Sequence, residues 1–408
     1  MKALVLAGGL PQIALINNLK KRGITVVLAD MNENVAAKKY ADKFYAISVL
    51  DVDAVREVAS KEKVDFVITV CADQVLQVMA EVSEDLNLPC YIDFDTAKNV
   101  SKKSYMKKIF LENGVPTSRY VIMDNFDEEK AKELKYPLIV KPVDSYSSRG
   151  VCKIISSAEL ETAFENAKEI SRTKTVIVEE FVEGDELTVD CYIENSAAKI
   201  LCVSKLSKIG EEGKFVIHRT EYPADISDVV YSKICQAAQG IADAFALKNA
   251  PMLIQLIVNG DDISVVEFCA RTGGGDKFRL IEKVTEFDVI DAVVELTLGN
   301  KPHFHQLKGK QQYITNEFLY CKTGVLDNVS GFDELLENQI ITEYFILKEK
   351  GYKFNEIRSS GDRVAYYTVE SDAREDMQTK RVEANKKIKA LDINGNDLIR
   401  HDLVEKNF

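Results

Sequence analysis

Glu267 and Arg271 are the residues that most invite a chemical reading. They stand in V-V-E-F-C-A-R-T-G-G-G-D-K, Val265 to Lys277, where an apolar strand runs into a glycine run. Just upstream, Met252 to Val258 is a second apolar strand interrupted by one polar residue, Gln255. Asn259-Gly260-Asp261-Asp262 between them reads as a hairpin turn. A carboxylate among buried apolar side chains is costly without a partner. Magnesium is one such partner, because it takes oxygen ligands and bridges to substrate phosphates; a neighbouring Arg or Lys is another. Side-chain alternation sets a condition on the metal. A two-residue turn puts Gln255 and Glu267 on opposite faces, so a shared site requires an odd loop, such as Gly260 to Asp262, or an equivalent bulge.

Two further stretches carry polar groups where a buried strand ends. Pro137 to Pro142, P-L-I-V-K-P, closes on Lys141, and Asp144 to Gly150, D-S-Y-S-S-R-G, follows directly. An ammonium at that position needs a partner, and a small, hydroxyl-rich loop can turn N–H and O–H groups onto phosphate oxygens. Glu179 to Asp190, E-E-F-V-E-G-D-E-L-T-V-D, takes an apolar strand into acids and a short linker. It reads either as a hinge whose backbone meets an adenine edge and whose carboxylate holds ribose hydroxyls, or as a solvated acidic turn. Lys102, Lys103, Lys107 and Lys108 share one segment, where a solvated helix face is the plain alternative to a phosphate site.

These stretches need elements to position them. The chain has 408 residues, enough for two or three domains, and its composition, 46% hydrophobic and 29% charged, is that of an ordinary globular protein. A net charge of −12 and the lack of a long basic run argue against nucleic acid as a partner. Eight cysteines without a C-x-x-C pair read as reduced thiols in a cytoplasmic protein. No apolar run approaches the roughly 20 residues that span a bilayer. Strand Ala3–Ala7, Gly8-Gly9, helix Pro11–Arg22 and strand Ile24–Ala29 begin an alternation. It continues through helix Val52–Glu62, strand Val64–Val70, helix Gln74–Leu86 and strand Cys90–Ile92, implying a parallel sheet covered on both faces. Asp30 follows the glycines at a dinucleotide-like distance, yet A-G-G-L-P-Q lacks G-x-G-x-x-G, so a dinucleotide site is rejected. Gly8-Gly9 and Asp73 offer at most a small-ligand contact.

Ser101 to Asn113 reads as a helix with Ser101 as N-cap, and Asp127 to Leu134 as a second. Later come helix Ala158–Ile170, strand Ile200–Lys205, a loop at Lys208–Phe215, helix Val229–Phe245 and helix Val289–Leu298. His303-x-His305 lies in a linker and makes a poor metal site. The remainder, Gln311 to Phe408, reads as a small α+β domain with a charged helix at Arg374–Leu391.

In this order the motifs resemble the ATP-grasp superfamily over nearly the whole chain. The likeness is to carbamoyl-phosphate-synthetase-like and biotin-carboxylase-like members, including carboxylate–amine ligases of the L-amino acid ligase type. The resemblance implies an α/β and α+β protein: a Rossmann-like pre-ATP-grasp domain (1–93), an ATP-grasp domain (94–305) and a C-terminal α+β domain (306–408). It implies ATP and magnesium, with manganese as a substitute, small-molecule carboxylate and amine substrates, and allows a homodimer. Lys103 and Lys141 would contact the α- and β-phosphates, and Ser147, Ser148, Arg149 and Gly150 would close over them. Glu179 would sit by the adenine amino group, Glu180, Phe181 and Val182 along the adenine edge, and Glu186 at the ribose. Gln255 and Glu267 would bind the metal, and Arg271 would neutralise the transferred phosphoryl. The implied reaction is ADP-forming ligation through an acyl phosphate. The alternatives are a bicarbonate-using carboxylase or carbamoyl-phosphate-type enzyme and a nucleotide-binding regulator. Cys269 stands where the family usually has asparagine, and soft sulfur suits magnesium poorly.

Overall fold

The computed structural model describes residues 1–144, 149–209, 215–305 and 312–405. The N-terminal region is a parallel sheet. β1 (Lys2–Leu6), β2 (Thr25–Asp30), β3 (Lys43–Ala46) and β4 (Phe66–Ile68) lie in the order β3-β2-β1-β4. Alternate residues of β1 enter different cores: Leu4 and Leu6 on one face, Ala3 and Val5 on the other. Burial on both faces explains the unbroken apolar runs. Helices α1 (Leu10–Lys21), α2 (Val52–Glu62) and α3 (Asp73–Asp85) cover the sheet. Asp30 accepts from Gly8 N–H at 2.9 Å, so it fixes its own turn.

Three expectations fail in the connecting region. Cys90–Ile92 is not a strand. Asp93, whose carboxylate accepts from Thr96 N–H at 2.8 Å, instead starts helix α4 (Phe94–Val100). Ser101 is no N-cap; its hydroxyl donates back to Ala97 O at 2.7 Å, and α5 (Lys103–Glu112) begins after an extended Lys102. The helix expected over 127–134 is one turn, α6 (Glu128–Ala131), because the chain must be extended again by Leu138.

Next comes a four-stranded antiparallel sheet. It contains β5 (Tyr120–Met123), β6 (Leu138–Pro142), β7 (Cys152–Ile154) and β8 (Val176–Glu180), ordered β5-β8-β6-β7 and backed by α7 (Leu160–Ile170). The chain then crosses to β9 (Asp185–Glu194), β10 (Ala197–Lys208), β11 (Ile217–Tyr222), α8 (Asp228–Ala244), β12 (Ala250–Asn259) and β13 (Asp262–Cys269). β10 runs three residues beyond its expected end at Lys205. Helices α9 (Lys277–Thr285), unexpected from the glycines before it, and α10 (Val289–Thr297) follow. The C-terminal region adds β14 (Tyr313–Tyr320), β15 (Gly324–Val325), β16 (Asn328–Ser330), α11 (Phe332–Glu337), β17 (Glu343–Ile346), β18 (Lys353–Phe354), β19 (Arg363–Ser371), α12 (Arg374–Lys387) and β20 (Lys389–Leu391). The charged helix therefore ends before its last expected residues, which pair with β16. Three of these strands extend the central sheet, whose order is β13-β12-β9-β10-β11-β14-β19-β17.

The crossing from β8 to β9 depends on Gly184. Its φ is +138°, and a Cβ there would stand 2.1 Å from Val258 O. Gly184→Ala is therefore expected to destabilise the fold by about 3 kcal/mol, from backbone strain plus steric displacement. Denaturant unfolding measures it, and a loss below about 1 kcal/mol would contradict the close approach.

Among the described residues all eight cysteines are free, and no helix is long and apolar enough to cross a membrane.

Candidate functional site

The register of β12 and β13 settles the condition set by the sequence. Asn259 pairs with Asp262, so the turn is the two-residue Gly260-Asp261. The register then shifts: Leu256 faces Val265 while Gln255 faces Glu267, leaving Val266 as a bulge. That extra residue brings Gln255 and Glu267 onto one face as direct neighbours. The bulge is held from outside the hairpin. Val265 N–H donates to Pro116 O at 2.7 Å, and Thr117 Oγ1 donates to Val265 O at 2.8 Å.

Two open clefts meet at this pair. The first, of about 880 Å³, lies between the β5–β8 sheet and the central sheet and is lined by Lys103, Lys141, Glu179 to Val182, Glu186, Gln255 and Glu267. The second, of about 930 Å³, shares Gln255 and Glu267 and adds Asp73, Arg271, the Gly273 to Gly275 run, Lys277 and, from the C-terminal region, Phe318 and Arg363.

Most of the expected residues converge, but several have partners the sequence did not disclose. Glu179, expected beside an adenine amino group, lines the first cleft and lies between two ammonium groups. It pairs with Lys141 and with Lys107 at 2.8 Å, all three side chains being buried. Burial acts to raise the Glu179 carboxyl, but the two lysines outweigh it and hold the group far below the ordinary carboxylate range. Burial pushes the Lys107 ammonium down, offset in part by Glu179. Lys107 also donates to Thr117 Oγ1 at 2.6 Å and Ser118 Oγ at 3.0 Å. The sequence offered it as one of four helical lysines; its i+4 spacing from Lys103, with Met106 and Phe110 buried on the same helix, was the available signal.

Lys103 lies 3.2 Å from Glu267. Glu186 pairs with Lys208, and Glu180 accepts from Lys135 N–H at 3.0 Å. Phe181 lies under the Lys153 ammonium, 3.7 Å from ring centre to nitrogen. Arg271 is held by Asp73 of α3 through two contacts of 2.5 Å and donates to Thr272 O at 2.7 Å. Burial acts to lower Arg271, and Asp73 outweighs it and raises the group further. Asp73, read only as a small-ligand contact, thus joins the N-terminal region to the site. Ser147 and Ser148 lie outside the described residues. Arg149 is exposed and Gly150 half-buried, and neither lines the first cleft, although Val151 does. His303 pairs with Glu194.

Gln255 and Glu267 are adjacent oxygen donors suited to a hard cation. Among the described residues no group of three or more His, Cys, Asp or Glu side chains could hold a metal, so a cation here would take its remaining ligands from phosphate oxygens and water. Cys269 adds none. Burial pushes its thiol well above the ordinary value, and it hydrogen-bonds Asp73.

Three family profiles match the chain in sequence order: the PylC-like N-terminal domain over 3–89, the ATP-grasp domain over 134–278, and the L-amino acid ligase C-terminal domain 2 over 317–390. A formate-dependent phosphoribosylglycinamide formyltransferase of Haemophilus ducreyi is 29% identical over 280 residues, 66% of this chain and 69% of that protein. In structure, L-amino acid ligase from Bacillus licheniformis superposes with a TM-score of 0.81 at 18% identity, covering 96% of this chain and 98% of that one. The biotin carboxylase domain of 2-oxoglutarate carboxylase from Hydrogenobacter thermophilus, in complex with MgADP, ADP and bicarbonate, superposes with a TM-score of 0.79 at 15% identity, covering 99% and 92%. The fold has the ATP-grasp architecture, and its central segment, 134–278, matches an ATP-grasp domain. On either side of it, 3–89 is similar to a PylC-like N-terminal domain and 317–390 to an L-amino acid ligase C-terminal domain.

Proposed function

We propose that the chain is an ATP-dependent, ADP-forming ligase that activates a carboxylate as an acyl phosphate for attack by an amine. The observation that carries this reading is the convergence of Lys103, Lys141, Glu186, Gln255 and Glu267 on one cleft that opens, at Glu267, onto a second. Its relatives include a formate-dependent formyltransferase and an L-amino acid ligase, both of which fit the same chemistry.

ATP occupies the first cleft, its adenine along Glu180 to Val182 and its ribose at Glu186. Lys141 and Lys103 meet the phosphates. Glu179 is committed to Lys107 and Lys141, so its role is to fix two ammonium groups. Gln255 and Glu267 would hold magnesium, which when bound would supply charge neutralisation at the phosphates. The substrate carboxylate oxygen attacks the γ-phosphorus and ADP leaves. Arg271, fixed by Asp73, faces the resulting acyl phosphate. The amine then attacks the acyl carbon, phosphate departs, and the amine loses a proton. Positioning and charge neutralisation supply the rate, as in other phosphoryl transfers. The division into 1–93, 94–305 and 306–408 assigns nucleotide binding to the middle segment.

Phosphate release from ATP across amino acids, taken singly and in pairs, tests the reading. Release dependent on an acid and an amine together is expected. Bicarbonate-dependent ADP release would replace it with the carboxylase reading, and nucleotide binding without turnover across the panel would point to a regulator.

A further inference from the structure

We propose that Lys277 is the anchor for the carboxylate substrate in the second cleft, an assignment that rests on the ligase reading above and specifies its acid site. Lys277 opens α9, is 6% exposed, and lines the cleft together with Thr188 and Arg271. Its Nζ donates to Thr188 Oγ1 at 2.7 Å. Thr188 is the cross-strand neighbour of Gln255, whose other neighbour is Glu267. The ammonium is therefore tethered beside the pair that would hold the cation, where an acid must stand to reach the γ-phosphorus.

The donors of this lysine are not used up. An ammonium has three. Lys107 spends its own on Thr117, Ser118 and Glu179. Arg271 is engaged by Asp73 and Thr272 O. Lys277 makes one hydrogen bond, to a neutral hydroxyl, among the described residues. Its counter-charge, Asp190 Oδ2, lies 3.6 Å away, beyond hydrogen-bond reach. Asp190 is 1% exposed and its Oδ1 has no hydrogen-bond partner among the described residues. A buried carboxylate at that range attracts the ammonium without occupying its donors.

The glycine run keeps this arrangement covered. A Cβ at Gly273 would come within 2.8 Å of Asp190 Oδ1 and 2.9 Å of Lys277 Cγ. Glycine lets the backbone lie directly on the pair, and Lys277 lines the cleft beside it. The ligand class that fits is a small carboxylic acid, an amino acid or a short dicarboxylate, with its carboxylate at Lys277 and its body against Phe215, Leu206 and Phe318.

The test is calorimetric titration of amino acids and short dicarboxylates into protein loaded with magnesium and a non-hydrolysable ATP analogue. Lys277→Met should raise the Kd of the tightest carboxylate at least tenfold and leave the Kd of the analogue within twofold. Lys277→Arg should stay within threefold of the original protein for both. The double variant Asp190→Asn/Lys277→Met removes the lone buried charge and should reproduce the tenfold loss with the fold intact. Carboxylate affinity within twofold of the original in Lys277→Met or the double variant would overturn the assignment. So would nucleotide-loaded protein that binds no carboxylate, a result that leaves the nucleotide cleft standing. Failure of the original protein to bind the ATP analogue sinks the ligase reading instead, and the carboxylate titration without nucleotide then decides Lys277 alone.

Discussion

Glu267→Ala is expected to lower ATP-dependent product formation about 10³-fold, the rate equivalent of about 4 kcal/mol of lost charge stabilisation. Among the described residues Glu267 is the single carboxylate shared by both clefts; it lies opposite Gln255 and 3.2 Å from Lys103. Removing it strips the cation of its charged protein ligand and leaves Lys103 without that partner. ADP release with saturating acid and amine measures the loss. Binding of nucleotide without magnesium should change little, which separates a metal defect from a collapsed cleft. A fully active variant would rule out the metal role.

Glu179→Ala is expected to cost about 3–5 kcal/mol of stability, the range found when one member of a buried ion pair is removed. Two buried ammonium groups, Lys107 and Lys141, lose the carboxylate between them. Denaturant midpoints measure the effect, and a loss below about 1 kcal/mol would mean that water reaches the pair. The sign with pH follows from the depressed carboxyl. In the unfolded chain it titrates near its ordinary value of 4.5, and in the fold it stays ionised well below that. Its contribution is fully present above the unfolded value and drains as pH falls beneath it. Glu179→Gln should remove that part of the acid sensitivity.

The residues that the sequence singles out and the structure brings into one cleft were legible because their strands are unambiguous. Lys141, Gln255 and Glu267 interrupt apolar runs, and an interrupted run is visible without any knowledge of pairing. The central match to an ATP-grasp domain and the three-part architecture follow the same runs. What escaped notice depends on contacts distant in sequence. Lys107 looks like a surface lysine until β8 delivers Glu179 to it. The bulge at Val266 is set by Pro116 and Thr117, which nothing in the hairpin itself specifies. Helix α4 was hidden by Ser101, a good capping residue that serves the end of one helix rather than the start of another. Cys269 was legible as an anomaly, but its orientation toward Asp73 was not.

The extra residue in β13 has a consequence for how this hairpin tolerates insertions and deletions. A residue added at the tip enlarges the loop, and deleting Val266 removes the bulge and straightens β13; either change leaves Gln255 opposite Glu267. What the site does not survive is a one-residue slip of β13 along β12 with both lengths kept, since that turns the carboxylate to the other side. Length variation here is therefore tolerated wherever the pairing is kept.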